Sequence, residues 1–245
     1  DTAIVLSVIP GGPSEKAGLM AGDRILKVDE RVIAGVKTPQ DSMVRMMKGP
    51  QGSKVKLTVN RAGENIPFDI IRDKIPVHCI DAAFMINDTT AYIKLSKFTR
   101  TTYKEFKEAY QNLLSQGMKR LLFDLRDNTG GYFDQSLMLS NEFLEKGDGI
   151  VYMEGLHRPR KDYDADGRGS LKDIAISVLI DEGTASSSEI FSGAIQDNDR
   201  GVIVGRRSFG KGLVQEPINF TDGSGVRVTV ARFYTPSGRC IQKPY

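Results

Sequence analysis

Apolar and polar positions change their rhythm once along the chain. Through about residue 75 they come in short alternating runs: "TAIVLSVIP" is strand-like, and "VKLTVNRAG" followed by "ENIPFDIIRD" has the pattern of a hairpin. Between them, "GGPSEKAGLMAGDRILKVDE" predicts a turn, a short helix and a strand. "TPQDSMVRMMKG" predicts a helix with Thr38 as cap, Pro39 in the first turn and Gly49 as stop. From residue 76 the period lengthens. "TTAYIKLSKF" is a strand, and "TTYKEFKEAYQNLLSQG" places Tyr103, Phe106, Tyr110, Leu113 and Leu114 on one helical face that ends at Gly117. The strand "RLLFDLRDN", a Gly-Gly turn and the helix "DQSLMLSNEFLEKG" follow. After a polar excursion come the strand "IAISVLI", the helix "SSSEIFSGAIQD" and the strand "GVIVG". "VRVTVARFYT" alternates as a sheet edge or hairpin does. Strand and helix in alternation argue for α/β layers, so the expected division is a small β-rich domain at 1–75 and an α/β core at 76–245.

Composition adds limits. The chain has 245 residues, 40% hydrophobic and 27% charged, enough for one large domain or two modest ones with real cores. Its 34 basic and 31 acidic residues are well mixed and leave a net charge of +3, so no basic field points to nucleic acid or a membrane surface. Cys79 and Cys240 are the only cysteines, which excludes a disulfide-dense scaffold or a Cys-rich zinc site and leaves one bridge between them open. No run of about 18 apolar residues occurs. Because the sequence starts at "DTAIVLSV" without Met and stops at "IQKPY", it is expected to be a fragment whose targeting or anchoring segment lies elsewhere.

The order of the first elements resembles a PDZ domain. "PSEKAGLMAGDRILKVD", with its Gly22-Asp23 turn and apolar Ile25, Leu26 and Val28, resembles a bacterial PDZ phrase. The resemblance implies that an extended peptide, usually a free C-terminus, adds as a strand beside a helix. In the resembling proteins the carboxylate-binding loop precedes the strand that opens this chain, so the PDZ domain is expected to be truncated at its N-terminus. Met43, Val44 and Met47 line either the peptide groove or the core. Lys48 is either a basic residue of the PDZ boundary or a charge favoured by the helix C-terminus.

Two motifs promise chemistry that their surroundings do not support. "GRRSFGKGLVQ" holds Gly205, Gly210 and Lys211 at phosphate-loop spacing, but Gly212 stands where a Ser or Thr should bind Mg²⁺, and the strand-like "LVQEPINF" stands where a helix should open. In "DYDADGRGSLKD", Asp162, Asp164, Asp166, Gly167 and Asp173 match EF-hand positions. Gly169 replaces the usual apolar residue, Asp173 the bidentate Glu, and the flanks "HRPRK" and "IAISVLI" are not helical, so a solvated acidic loop without calcium is expected. His78 and His157, the only histidines, have no setting for a Ser-His-Asp site or zinc, and no cofactor is expected.

"DEGTASSSEIFSGAI" is more informative. A buried strand runs into a serine cluster that opens a helix, which exposes Ser186 near backbone N–H groups able to hold an oxyanion. Ser186 and Glu189 also spell a capping box, a purely structural alternative. "GTASSSE", then "FGKGLVQ" with Lys211 25 positions after Ser186 and Gln215 four after Lys211, preceded by "DLRDNTGG", together resemble the C-terminal processing, or tail-specific, proteases. The likeness covers essentially the whole chain, to "TVARFYTPSGRCIQ".

That resemblance implies a crotonase-like (ClpP/crotonase-type) layered α/β core behind a PDZ domain that delivers substrate tails. It makes Ser186 the nucleophile, Lys211 the general base and Gln215 the residue that orients the lysine, with cleavage through an acyl-enzyme. Lysine can take the serine proton only when neutral, a state that burial and the absence of a carboxylate partner favour, and the Gln215 amide, expected on the same face four positions along a strand, can hold the amine without adding charge. Oxyanion donors are expected from the Ser187 N–H and from Gly131 or Gly130. Relatives often carry Ala where Ser187 stands, so Ser187 and Ser188 are neighbouring hydroxyls that compete for the nucleophile's position. The resemblance further implies protein or peptide substrates with accessible C-termini, a bacterial periplasm or cell envelope with a chloroplast lumen second, a secreted or anchored parent, and oligomers built through terminal arms outside this sequence. The rival from another class is a PDZ-bearing adaptor whose hydrolase-like core only binds peptides.

Overall fold

The chain divides into two compact units, Asp1–Val77 and His78–Tyr245; among the described residues the first holds one buried hydrophobic cluster and the second holds two. The computed structural model describes residues 2–75 and 78–244. The boundary expected at 75/76 adjoins residues 76 and 77, which lie outside the described residues.

The first unit runs β1 (Ala3–Ile4), α1 (Pro13–Ala17), β2 (Arg24–Val28), β3 (Arg31–Val32), α2 (Gln40–Met47), β4 (Lys54–Arg61) and β5 (Glu64–Ile71). Its antiparallel sheet has the order β1-β2-β4-β5, with β3 on β2. The predicted hairpin is β4–β5, closed by Ala62 and Gly63 at φ 52° and 95°, the two positive values a tight hairpin turn demands. β1 is far shorter than "TAIVLSVIP" suggests. Its partner β2 begins only at the Gly22-Asp23 turn, so beyond the bond from Val5 N–H to the Asp23 carbonyl (2.9 Å) no strand lies opposite, and Leu6 is 88% exposed. That turn is fixed by buried Asp23, which accepts Arg61 at 2.7 and 2.8 Å and Met20 N–H at 2.9 Å. The predicted cap of α2 is displaced: Pro39, extended at ψ 141°, is the N-cap, and no side chain caps it. At the other end Arg72 donates to the Met46 and Met47 carbonyls (3.0 and 2.9 Å), which satisfies groups that a stop residue alone would leave open.

The second unit runs β6 (Ile80–Met85), β7 (Thr90–Leu95), α3 (Thr102–Ser115), β8 (Arg120–Asp124), α4 (Phe133–Asn141), β9 (Gly149–Gly155), β10 (Arg158–Asp164), β11 (Ala175–Ile180), α5 (Ser187–Asp197), β12 (Gly201–Gly205), β13 (Leu213–Asn219) and β14 (Gly225–Tyr234). One sheet has the order β12-β11-β8-β7-β6, parallel except for β6, and packs Phe106, Tyr110 and Leu113 of α3 into a core with Phe123, Phe143 and Phe191. A second, antiparallel sheet has the order β10-β9-β14-β13. Here the expected acidic loop is corrected in part: Asp162 and Asp164 belong to β10, paired with Tyr152 and Gly149. β10 is exposed on nearly every residue, so it carries none of the alternation by which strands are recognised. Helix α4 stops at Asn141, six residues short of the predicted Gly147, and a turn follows. From the end of β12 at Gly205, residues 206–212 form an irregular connection into β13 with no helix after it. Cys79 is buried and Cys240 exposed, and both are free thiols. Among the described residues, no helix is long and apolar enough to cross a membrane, and no group of three or more His, Cys, Asp or Glu converges as a metal site.

Candidate active site

Strands β8 and β11 are parallel neighbours, so the loops that leave their C-terminal ends emerge side by side, the usual place for a site in such a sheet. The first loop runs from Leu125 to Tyr132 and the second from Asp181 to Ser186. Buried side chains lock them together. Asp181 accepts the N–H groups of Asp127 (2.9 Å) and Gly183 (3.0 Å), and Thr184 Oγ1 donates to the Leu125 carbonyl (2.8 Å). Burial pushes the Asp181 carboxyl up, but these donors outweigh it and hold it below the usual carboxylate range. Asn128 ties three strands' ends at once: its Nδ2 donates to the Leu95 carbonyl, its Oδ1 accepts Gly130 N–H, and its own carbonyl accepts Ala185 N–H and Ser188 Oγ. At the base of the first loop, Asp124 is buried. Burial raises its carboxyl, while Arg126 (2.6 Å) and the Tyr92 hydroxyl (2.6 Å) bring it down to about 2.

Ser186 sits at the sharp turn from β11 into α5 with φ 57° and ψ −116°, a conformation that side chains rarely adopt and that costs about 1–3 kcal/mol. Ser186 and Glu189 stand at the two positions of a capping box. Ser186 N–H donates to Glu189 Oε2 at 2.8 Å, whereas the Ser186 side chain makes no cap hydrogen bond. The hydroxyl is therefore left for other work. Ser187 Oγ, by contrast, is engaged by the Gly131 carbonyl (3.0 Å) and Ser188 Oγ by that of Asn128 (3.0 Å), which separates the three serines chemically.

Of the expected oxyanion donors, Gly130 N–H is bonded to Asn128. The N–H groups of Gly131 and Ser187 have no protein acceptor among the described residues. The glycines are required by space: a Cβ on Gly130 would lie 2.8 Å from both Ser186 Cβ and Ser187 N, and one on Gly131 would strike the Phe98 carbonyl.

Sequence reading treated Glu189 only as a capping residue; its larger part is visible in the fold. The buried carboxylate accepts Ser186 N–H (2.8 Å), Ser208 Oγ (2.7 Å), Gly210 N–H (2.7 Å) and Lys211 N–H (2.8 Å). It thereby stitches the backbone of Lys211 to that of Ser186. The Lys211 side chain is exposed and, among the described residues, pairs with no carboxylate. Lys211 also precedes β13, and a bulge falls between Val214 and Gln215, so simple strand alternation does not relate Lys211 to Gln215.

Gln215, Gly131, Ser186 and Ser187 line one cavity of about 290 Å³, and Lys211 is not among its lining residues. The rest of that wall was not singled out in the sequence: Phe133 stacks on Phe233 and meets the edge of Tyr163, with both ring centroids at 5.1 Å, beside Met153, Ile190 and Leu213. In the first unit, Met47 lines an apolar cavity of about 240 Å³ with Val5, Val8 and Leu57. Met43 is buried in the core there, while Val44 and Lys48 are exposed and line no part of that cavity.

Comparison with known proteins bears on both units. The profile of peptidase family S41 matches residues 89–244, and that of the PDZ domain residues 4–61. The carboxy-terminal processing protease CtpA of Bacillus subtilis is 35% identical over 98% of this chain and 51% of its own length. The chloroplastic C-terminal processing peptidase of Tetradesmus obliquus is 34% identical over 98% of this chain and 54% of its own. The chain thus spans about half the length of the curated relatives it matches. A solved photosystem II D1 C-terminal processing protease superposes with a TM-score of 0.62 at 32% identity, over 98% of this chain and 66% of that one. The chain belongs to peptidase family S41, with a PDZ domain ahead of the peptidase core.

Proposed function

We propose that this chain carries a serine endopeptidase that cuts protein substrates near their C-terminal tails through an acyl-enzyme. The observation that supports it best is the pairing of a strained serine, its hydroxyl outside the cap, with two backbone N–H groups that have no acceptor of their own. In this reading the Ser186 hydroxyl attacks the scissile carbonyl, and the developing oxyanion takes hydrogen bonds from Gly131 and Ser187 N–H. Such donors are worth roughly 2.7 to 4 kcal/mol each in related chemistry. Lys211 accepts the serine proton and returns it to the leaving amine, and Gln215 steers the amine. A substrate seated over the cleft removes water from around Lys211, and no carboxylate among the described residues competes for its amine.

The PDZ domain engages substrate C-termini by adding them beside β1, over the cavity lined by Met47. The cell envelope is the compartment this reading favours, and the chloroplastic name of one relative supports a lumen as second. The test is cleavage of an unstructured protein with an apolar tail. Ser186→Ala and Lys211→Ala should each lower kcat by about a thousandfold or more while leaving tail binding intact. Unchanged cleavage by Ser186→Ala would refute the assignment, and a wild-type chain that binds tails without cutting them would make the chain an adaptor.

A further inference from the structure

The stretch "HRPRK" gains a place in the fold that its composition alone does not give it. Beside the Ser186 cavity lies a second one of about 450 Å³, bounded by β9, β10, β13 and β14, which shares Met153 and Val214 with the first. Its charged lining is Arg158, Arg160, Lys161 and Glu216. Arg158 pairs with Glu216 at 2.6 Å, and both are about half exposed, so this is a pair that opens at little cost. Arg160 pairs with Asp162 at 2.6 Å and lies 3.8 Å over the Tyr152 ring. Lys161 makes no ion pair among the described residues; its amine lies 5.0 Å over the ring of Tyr163, which itself lines the Ser186 cavity.

Arg158, Lys161 and Glu216 thus line a concavity with apolar walls at Pro159 and Val230, which shares Met153 and Val214 with the cavity lined by Ser186. We propose that this cavity is a substrate subsite for a carboxylate that follows or precedes the cleaved bond by a few residues. The proposal rests on the reading of Ser186 as nucleophile and adds a selectivity to it. Cations held in a concave, partly apolar setting bind an anion more strongly than the same groups on an open surface, and guanidinium groups match the planar carboxylate. The carboxylate has two sources, an Asp or Glu side chain within the tail or the free C-terminus itself.

Internally quenched peptides with one apolar cleaved residue separate these sources. One series moves a single Glu along the positions around the scissile bond against Gln controls, and a second compares free with amidated C-termini. A carboxylate in the subsite should raise kcat/KM by about tenfold, as expected when a charge-assisted contact is gained. Lys161→Gln and Arg158→Gln should each remove most of that advantage and leave the neutral peptides within about twofold, and Lys161→Glu should invert it toward Lys-bearing peptides. Loss on amidation assigns the free terminus, and loss on Glu→Gln the side chain. Anisotropy titrations of the same peptides on Ser186→Ala read the subsite without cleavage, so a failed nucleophile assignment is told apart from a failed subsite. No preference for any carboxylate in either assay, or a preference that survives all three variants, would overturn the proposal.

Discussion

Replacing Glu189 with Gln asks whether one buried carboxylate sets the relation between Ser186 and Lys211, the proposed nucleophile and base. The side chain accepts four hydrogen bonds, two at each oxygen: Ser186 and Lys211 N–H at Oε2, Ser208 Oγ and Gly210 N–H at Oε1. An amide keeps one acceptor and turns the other into a donor. With its NH₂ at the Oε2 position, two backbone donors lose their partner. With it at the Oε1 position, the Ser208 hydroxyl can rotate to accept, and only Gly210 N–H is left facing another donor. The second arrangement is cheaper, so Gln forfeits at least one hydrogen bond to a charged group, worth roughly 1.5–3 kcal/mol, at the residue that precedes Lys211. If that cost is met by displacing the Lys211 segment, kcat falls about 10- to 150-fold with little change in KM, since each 1.4 kcal/mol is tenfold. Glu189→Ala removes all four bonds and should do more. Steady-state cleavage of a quenched peptide gives both constants, and a thermal melt of each variant tests whether the second unit stays folded. In a Lys211→Ala background the Gln substitution should add little, because the displaced group is already gone. Both Glu189 variants turning over within about twofold of the parent, with intact melts, would refute this account of the site.

Gly131→Ala should abolish cleavage and lower the melting temperature, because its Cβ would strike the Phe98 carbonyl at a backbone φ of 151°; a fully active, equally stable variant would contradict the assigned close approach. Acid should destabilise both units. Asp23, beside Arg61, and Asp124, held by Arg126 and Tyr92 at about 2, have depressed values in the fold. Their stabilisation is therefore present above the unfolded carboxyl value of about 3.9 and is lost as pH falls toward the folded ones. Urea midpoints measured from pH 5 down to 2 should fall less steeply for Asp124→Asn than for the parent; identical slopes would show that Asp124 is not the coupled group.

Legibility in the sequence followed how local each cause was. The α3 face and the β4–β5 hairpin were readable because spacing and turn chemistry lie within a few residues. The order of "DLRDNTGG", "GTASSSE" and "FGKG" was readable only as a family resemblance; nothing local says that Asn128 and Asp181 bind those loops to each other. Strand β10 was missed because an edge strand exposed on both faces looks like a polar loop. The aromatic wall of Phe133, Tyr163 and Phe233 was missed because its members come from α4, β10 and β14 and meet only in three dimensions. The N-cap of α2 was misplaced by one residue because Thr38 fits the local rule but the extended Pro39 takes the position with no side-chain cap, and at the far end Arg72, from beyond β5, finishes the helix in a way no local rule shows.

A chain whose proposed work is to take up extended peptides must keep its own strands from doing the same to one another. Three of its sheet borders carry a deterrent: Pro67 interrupts the donor row of β5, Pro217 that of β13, and β10 presents Arg158, Arg160, Lys161 and Asp162 in near succession. Missing amide donors and crowded charge make each border a poor template for a sister molecule. Replacing Pro217 with Val and the β10 basic residues with Thr should therefore raise the turbidity of the chain at high concentration relative to the parent, with Ser186 and Lys211 untouched.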